Sequence, residues 1–142
     1  MSVNCRLMNF TPSDFAFANT SFCSGASVMI ESPFRHKDFI DVYLKLFKTV
    51  FQKISDLRRA GSAALDLSYL ACGRCEGFFE IGLSPWDIAA GNVLIREAGG
   101  LVTDFGGGND FLLTGNVVAG NPAVHKQLLQ EVKHVFGGFI DK

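Results

Sequence analysis

The sequence predicts an α/β layered fold, with a central mixed sheet and helices on both of its faces. Two patterns carry that reading. Phe39, Tyr43, Leu46, Phe47, Val50, Phe51 and Ile54 recur at three- and four-residue steps, the period of an amphipathic helix. Short apolar runs at 77–81, 101–104 and 117–119 alternate with further helical patterns, as strands do when helices cover a sheet. A third observation bounds the size. The chain has 142 residues, 48% hydrophobic and 19% charged, which suits one domain with a real core and excludes a disordered protein.

The elements follow in order. Residues 3–8 and 26–31 read as strands, separated by a Phe-, Ser- and Thr-rich stretch with no clear period. The long helix starts at Lys37, and a short strand covers 56–59. Gly61-Ser62 opens a second helix over 63–71, closed by Gly73. After the strand at 77–81, Ser84-Pro85-Trp86-Asp87 begins a third helix, which runs to Ala98 and stops at Gly99-Gly100. The strand at 101–104 leads into a turn at Gly106-Gly107-Gly108-Asn109. The strand at 117–119 leads to a last helix capped by Asn121, with Pro122 at the first helical position, where its missing N–H costs nothing. Val124, Leu128, Val132 and Val135 share one face of that helix. No repeat or linker interrupts the order, so residues 1–142 are expected to form a single domain.

Thirteen basic against fourteen acidic residues leave a net charge of −1, which gives no support to a nucleic-acid stripe or a membrane-attracting patch. No segment approaches the ~18 apolar residues of a membrane span. The opening Met1-Ser2-Val3-Asn4-Cys5-Arg6 lacks the order of a signal peptide, so a soluble, cytoplasmic chain is expected. Cysteines stand at Cys5, Cys23, Cys72 and Cys75. The Cys72-Gly73-Arg74-Cys75 spacing suits a redox pair or half a zinc site. No second pair completes a zinc site, and the position past a helix end lacks the thiol-activating dipole. Two inert, partly buried thiols are expected. His36, His125 and His134 are scattered, and none is a metal candidate.

Three clusters remain as carriers of chemistry, and each has a plain structural explanation beside the functional one. Gly61-Ser62-Ala63-Ala64 opens a helix with several N–H groups unblocked by side chains, which suits a hydroxyl-rich or anionic ligand. Equally, Ser62 is an ordinary N-cap residue and the small side chains permit close packing. Glu80 sits in an apolar strand, directed either to a solvated face or to a site at the strand's end. Ser84 with Asp87 fits a capping box, a full structural reason for the acid. The cap explains neither Trp86 nor Ala89-Ala90-Gly91, and a glycine inside a helix costs up to about 1 kcal/mol relative to alanine. Something has to approach that helix closely.

Trp86-Asp87-Ile88-Ala89-Ala90-Gly91, followed by Glu97-Ala98-Gly99-Gly100, resembles the C-terminal signature of the inositol monophosphatase family. Gly61-Ser62-Ala63-Ala64, Phe79-Glu80-Ile81-Gly82 and Ala119-Gly120-Asn121 are similar to further family motifs, in order and at family spacing. The similarity runs from about Asp38 to Val132 and is strongest to bacterial members, through Arg58-Arg59-Ala60-Gly61-Ser62-Ala63-Ala64-Leu65-Asp66-Leu67.

The resemblance implies a Mg²⁺-dependent phosphomonoesterase, usually a homodimer, built as an α-β-α-β-α sandwich. It makes Asp87 a metal ligand that also touches a substrate hydroxyl. Glu80 would bind inositol hydroxyls, and Gly61, Ser62 and Ala63 would line the sugar pocket. Glu31-Ser32-Pro33-Phe34 stands where the family has a Gly-Phe-Pro-like stretch. The family's Gly-Glu-Glu and Asp-Pro-x-Asp-Gly-Thr metal motifs have no counterpart here. The sequence therefore reads as the C-terminal half of such an enzyme, with Mg²⁺ bound mainly through the other half and the chain inactive alone. The expected ligand is an inositol or sugar phosphate, and a homodimer or association with the other half is expected. A stand-alone binding or dimerisation module is the alternative, as is half of a sugar- or nucleoside-bisphosphate phosphatase.

Overall fold

The computed structural model describes residues 26–30 and 37–137. The strand expected at 3–8, Glu31, His36, Cys5 and Cys23 lie outside the described residues. Among the described residues the chain forms β1 (Ser27–Ile30), a 3-10 turn (Lys37–Phe39), α1 (Ile40–Phe51), β2 (Asp56–Arg58), α2 (Ala63–Ala71) and β3 (Gly77–Glu80). It continues through α3 (Pro85–Glu97), β4 (Leu101–Thr103), α4 (Phe111–Thr114), β5 (Val117–Gly120) and α5 (Pro122–Phe136). The strands make one mixed sheet in the order β2-β1-β3-β5-β4. β1 runs parallel to β2 and β3, whereas β5 runs antiparallel to β3 and β4.

Side-chain alternation along these strands divides the core in two. Val28, Ile30, Phe79 and Val118 face Tyr43, Leu46 and Val50 of α1 and Val124, Leu128 and Val132 of α5. Met29, Phe78, Val117 and Ala119 face Leu67 and Leu70 of α2 and Ile88 and Ile95 of α3. Helices therefore cover both faces, as the alternating pattern predicts. Phe78 and Phe79, adjacent in sequence and both fully buried, anchor opposite faces, each contributing about 2 kcal/mol through apolar burial.

Most element ends match the sequence expectation. The long helix stops at Phe51, three residues before Ile54. Lys53 N–H bonds to the Val50 carbonyl in a tighter turn, and Ser55 N–H then bonds to Ala26 and draws the chain into β2. Ile54 still packs on the α1–α5 core, so its apolar character is satisfied outside the helix. The strand expected at 56–59 ends at Arg58, that at 77–81 at Glu80, and that at 101–104 at Thr103, where the ladders end. α4 is unanticipated, since one turn leaves no readable period. Asp104 organises the glycine turn by accepting from Gly108 N–H at 2.7 Å and Asp110 N–H at 3.0 Å.

Cys72 is exposed at the end of α2 rather than partly buried. Cys75 is buried and its thiol is pushed up to about 12, first by burial and then by the Glu76 and Asp66 carboxylates. Cys75 is thus inert at neutral pH. His134 lies exposed in the last turn of α5, whereas His125 is buried in its first turn, with Nε2 2.9 Å from Thr103 Oγ1. Burial lowers the His125 pKa, so the folded chain favours the neutral ring. Stability from that group is fully present above pH 6.5, the unfolded value, and falls as pH drops below it. Denaturation midpoints between pH 7.5 and 5.5 should decline, and His125→Gln should flatten the slope. An unchanged slope in that variant would remove His125 as its source.

Candidate functional site

The parallel direction of β1, β2 and β3 places their carboxyl ends at one edge of the sheet. α2 begins just after β2, and α3 begins just after β3, so both helix N-termini stand at that edge. Gly61, Ser62, Ala63, Glu80 and Asp87, distant in sequence, are thereby gathered on one side of the molecule. Such an edge is where α/β sheets commonly bind ligands.

Gly61 takes φ +90°, the left-handed region that glycine adopts without penalty, and swings the chain into α2. Ser62 occupies the N-cap position in an extended conformation, yet its side chain makes no capping hydrogen bond. The contrast with Asn121 is direct: that side chain accepts from Val124 N–H at 2.8 Å. Ser62 is a cap by position only, which keeps its hydroxyl available at the rim. The Ala63 methyl is buried in the α2–α3 core, so only its backbone can face a ligand.

Glu80 ends β3 and pairs with Val117 across the antiparallel ladder. Its alternation with Phe79 turns it to the α2–α3 side, where Phe78 and Val117 also point. A solvated sheet face does not exist for it, because helices cover both sides. The half-buried carboxylate therefore stands at the strand's end, on the side of the two helix N-termini.

Asp87 has a demonstrable structural job. It forms the capping box with Ser84, accepting the Ser84 N–H on Oδ2 at 3.1 Å, while its own N–H donates to the Ser84 carbonyl at 2.9 Å. Among the described residues, Oδ1 has no hydrogen-bonding partner, so one oxygen of this half-buried group is left for a ligand. Gly91 meets the sequence expectation of a close approach. A Cβ there would lie 2.5 Å from Leu67 Cβ and 2.7 Å from Leu67 Cδ1, so what approaches α3 closely is α2 itself. Trp86, 78% exposed, finds no such explanation within the described residues.

Sequence reasoning missed the clamp on the loop between β3 and α3. Leu83 N–H donates to the Gly115 carbonyl at 2.9 Å, and Gly82 N–H to Asn116 Oδ1 at 3.3 Å. Gly115 holds φ +71°, and a Cβ on it would strike the Leu83 backbone. The Gly115-Asn116 pair ahead of an apolar strand was the available signal. As for a metal, the described residues contain no group of three or more His, Cys, Asp or Glu able to hold one. Asp87 can supply one oxygen, and these residues do not by themselves make a Mg²⁺ site, which needs near-octahedral oxygen coordination.

The layered mixed sheet, with helices on both faces, defines an α/β fold. The family model of the inositol monophosphatase family matches residues 13–135, and the chain belongs to that family. It is 54% identical over 101 residues to Nus factor SuhB of Escherichia coli (strain K12), covering 71% of this chain and 38% of that protein. It is 56% identical over 91 residues to an inositol-1-monophosphatase of Mesorhizobium japonicum, covering 64% of this chain and 34% of the relative. Among solved structures, inositol monophosphatase from Anabaena (Nostoc) sp. PCC 7120 superposes with a TM-score of 0.75 at 35% identity, over 83% of this chain and 48% of that one. The chain thus spans well under two thirds of the length of these relatives.

Proposed function

We propose that this chain supplies the C-terminal, substrate-recognition part of a Mg²⁺-dependent phosphomonoesterase acting on inositol monophosphate. The observation that supports it is the gathering of Gly61, Ser62, Glu80 and Asp87 at one sheet edge beside two helix N-termini. Hydroxyl and carboxylate groups there suit the hydroxyls of an inositol, and the Asp87 Oδ1 suits a metal held mostly by other residues. The family match and a relative named inositol-1-monophosphatase favour the same substrate class. In this reading the 142 residues are one domain and turn over nothing alone, because a single carboxylate cannot generate hydroxide and hold the leaving oxygen together.

The test is a comparison of two purified proteins given inositol 1-phosphate and Mg²⁺. The chain alone should show no metal-dependent phosphate release. Joined to the remainder of the Mesorhizobium japonicum relative, it should show release. Turnover by the chain alone, lost in Asp87→Asn, would overturn the reading of an incomplete site.

The outer side of the α2–α3 layer exposes Leu65, Trp86 and Val93 at 53%, 78% and 57%. Exposed apolar surface of this kind favours association. The chain is accordingly proposed to pair with a second copy or with the remaining portion of the enzyme. A single monomeric species across a wide concentration range in sedimentation would count against that pairing. A second reading, a non-catalytic role, is favoured by the relatives named Nus factor SuhB. Under it, the joined protein would be folded and silent toward inositol 1-phosphate.

A further inference from the structure

Helix α1 carries more apolar surface than its core contacts use. Tyr43, Leu46 and Val50 are buried against the sheet and α5. Ile40, Leu44, Phe47 and Phe51 make a second row, at steps of four, three and four residues, which aligns them along one face of the helix. At 3.6 residues per turn this row lies about 100° around the axis from the buried one. Ile40, Leu44 and Phe51 are 45%, 53% and 56% exposed, and Phe47 is half-buried at the border between the rows. The Phe47 and Phe51 rings stack, with centroids 5.9 Å apart and planes within 7° of parallel. The charged residues of the helix, Asp41, Lys45 and Lys48, stand on its remaining side. Apolar residues scattered singly over a surface need no explanation, but a line of four does.

Position and composition favour one occupant, the chain ahead of Ala26. The Ala26 carbonyl accepts the Ser55 N–H at 3.0 Å, and Ser27 stands beside Asp56 where β1 and β2 begin. Ser55 follows the end of α1 by four residues, so the chain ahead of Ala26 departs near the Phe51 end of the row. The row is about 16 Å long at 1.5 Å per helical residue, which an extended chain spans in about five residues. The sequence has 25 residues ahead of Ala26. Within residues 9–23 stand Phe10, Phe15, Phe17 and Phe22, with a single charge at Asp14. Side chains of that size gain most from leaving water. A segment tethered beside its site also meets it at an effective concentration that a free partner has to match.

We propose that residues 9–23 dock their phenylalanines on the Ile40, Leu44, Phe47 and Phe51 row and close the outer side of α1. The row belongs to the α1–α5 side of the sheet and uses none of Ser62, Glu80 or Asp87, so the proposal stands apart from the phosphatase reading.

The experiment places the photo-reactive amino acid p-benzoylphenylalanine at Leu44 in the full chain and maps its cross-links by mass spectrometry. Cross-links to residues 9–23 of the same copy are expected, in a yield that dilution leaves unchanged. Cross-links between two copies would overturn the proposal and make the row a contact between copies. Links only to residues 31–36 or 138–142, or none at all, would overturn it as well. Limited chymotrypsin digestion gives a second readout. Leu44→Ser with Phe51→Ser should speed cleavage within residues 9–23 by about tenfold or more, because the segment is released more of the time. Leu113→Ser, at a position 87% exposed on α4, should leave that rate unchanged. Equal cleavage rates in the unsubstituted chain and the α1 variant would show that the row does not hold the segment.

Discussion

Replacing Gly91 with alanine will destabilise the chain by about 2–3 kcal/mol, the upper part of the usual range for overpacking. Two effects oppose each other at this position. Alanine in a helix interior gains up to about 1 kcal/mol over glycine. Against that, the new methyl would lie 2.5 Å from Leu67 Cβ, a separation no real pair of carbons adopts. A flexible side-chain end could rotate away, but Cβ is fixed to its backbone. The α2 and α3 axes must therefore move apart, and Leu67, Ile88 and Ile95, all fully buried, lose packing with them. The clash wins. The melting midpoint should fall by roughly 5–10 °C for a chain of this size. Leu67→Ala should not rescue the variant, because its Cβ remains. Ala90→Gly, on the exposed side of the same helix, should cost only about 1 kcal/mol through propensity. A neutral or stabilising Gly91→Ala would show that the two helices are not held at this distance.

That same glycine shows what the sequence could and could not convey. A glycine inside a helix announces a close approach, yet the sequence does not say to what. The neighbour is Leu67, twenty-four positions earlier, a partner the sequence left unnamed. Helix starts were legible where side chains cap them: Asn121 with Pro122, and Ser84 with Asp87, both form the caps their spacing predicts. The end of α1 was not, since Ile54 keeps the apolar period while the backbone has already turned toward β2. α4 left no trace because four residues carry no period.

The candidate site was legible in the same uneven way. Local motifs named Gly61, Ser62, Ala63, Glu80 and Asp87 individually. Only the parallel pairing of β1 with β2 and β3 puts them on a common edge. The orientation of Glu80 depended on register, which a one-residue slip would reverse. Arg58 and Arg74, sixteen positions apart with a whole helix between them, line one cavity that no local motif announces.

The second large effect is expected at Asp87, if the proposed function holds. Its Oδ2 accepts the Ser84 N–H, and an asparagine amide oxygen can accept the same hydrogen bond. Asp87→Asn should therefore keep the cap and cost well under the ~1 kcal/mol of losing one. The substitution does remove the negative charge that a metal needs at Oδ1. In the chain joined to the remainder of the Mesorhizobium japonicum relative, phosphate release from inositol 1-phosphate should fall by about 10²–10³-fold. That corresponds to the several kcal/mol a metal contributes to such a transition state. Ser84→Ala should do the reverse, lowering the melting midpoint by a few degrees while leaving turnover of the folded protein near its starting value. The pair separates the helix-start role of Oδ2 from the metal role proposed for Oδ1. Equal activity losses in Asp87→Asn and Ser84→Ala, each tracking lost stability, would leave the acid with the helix start alone.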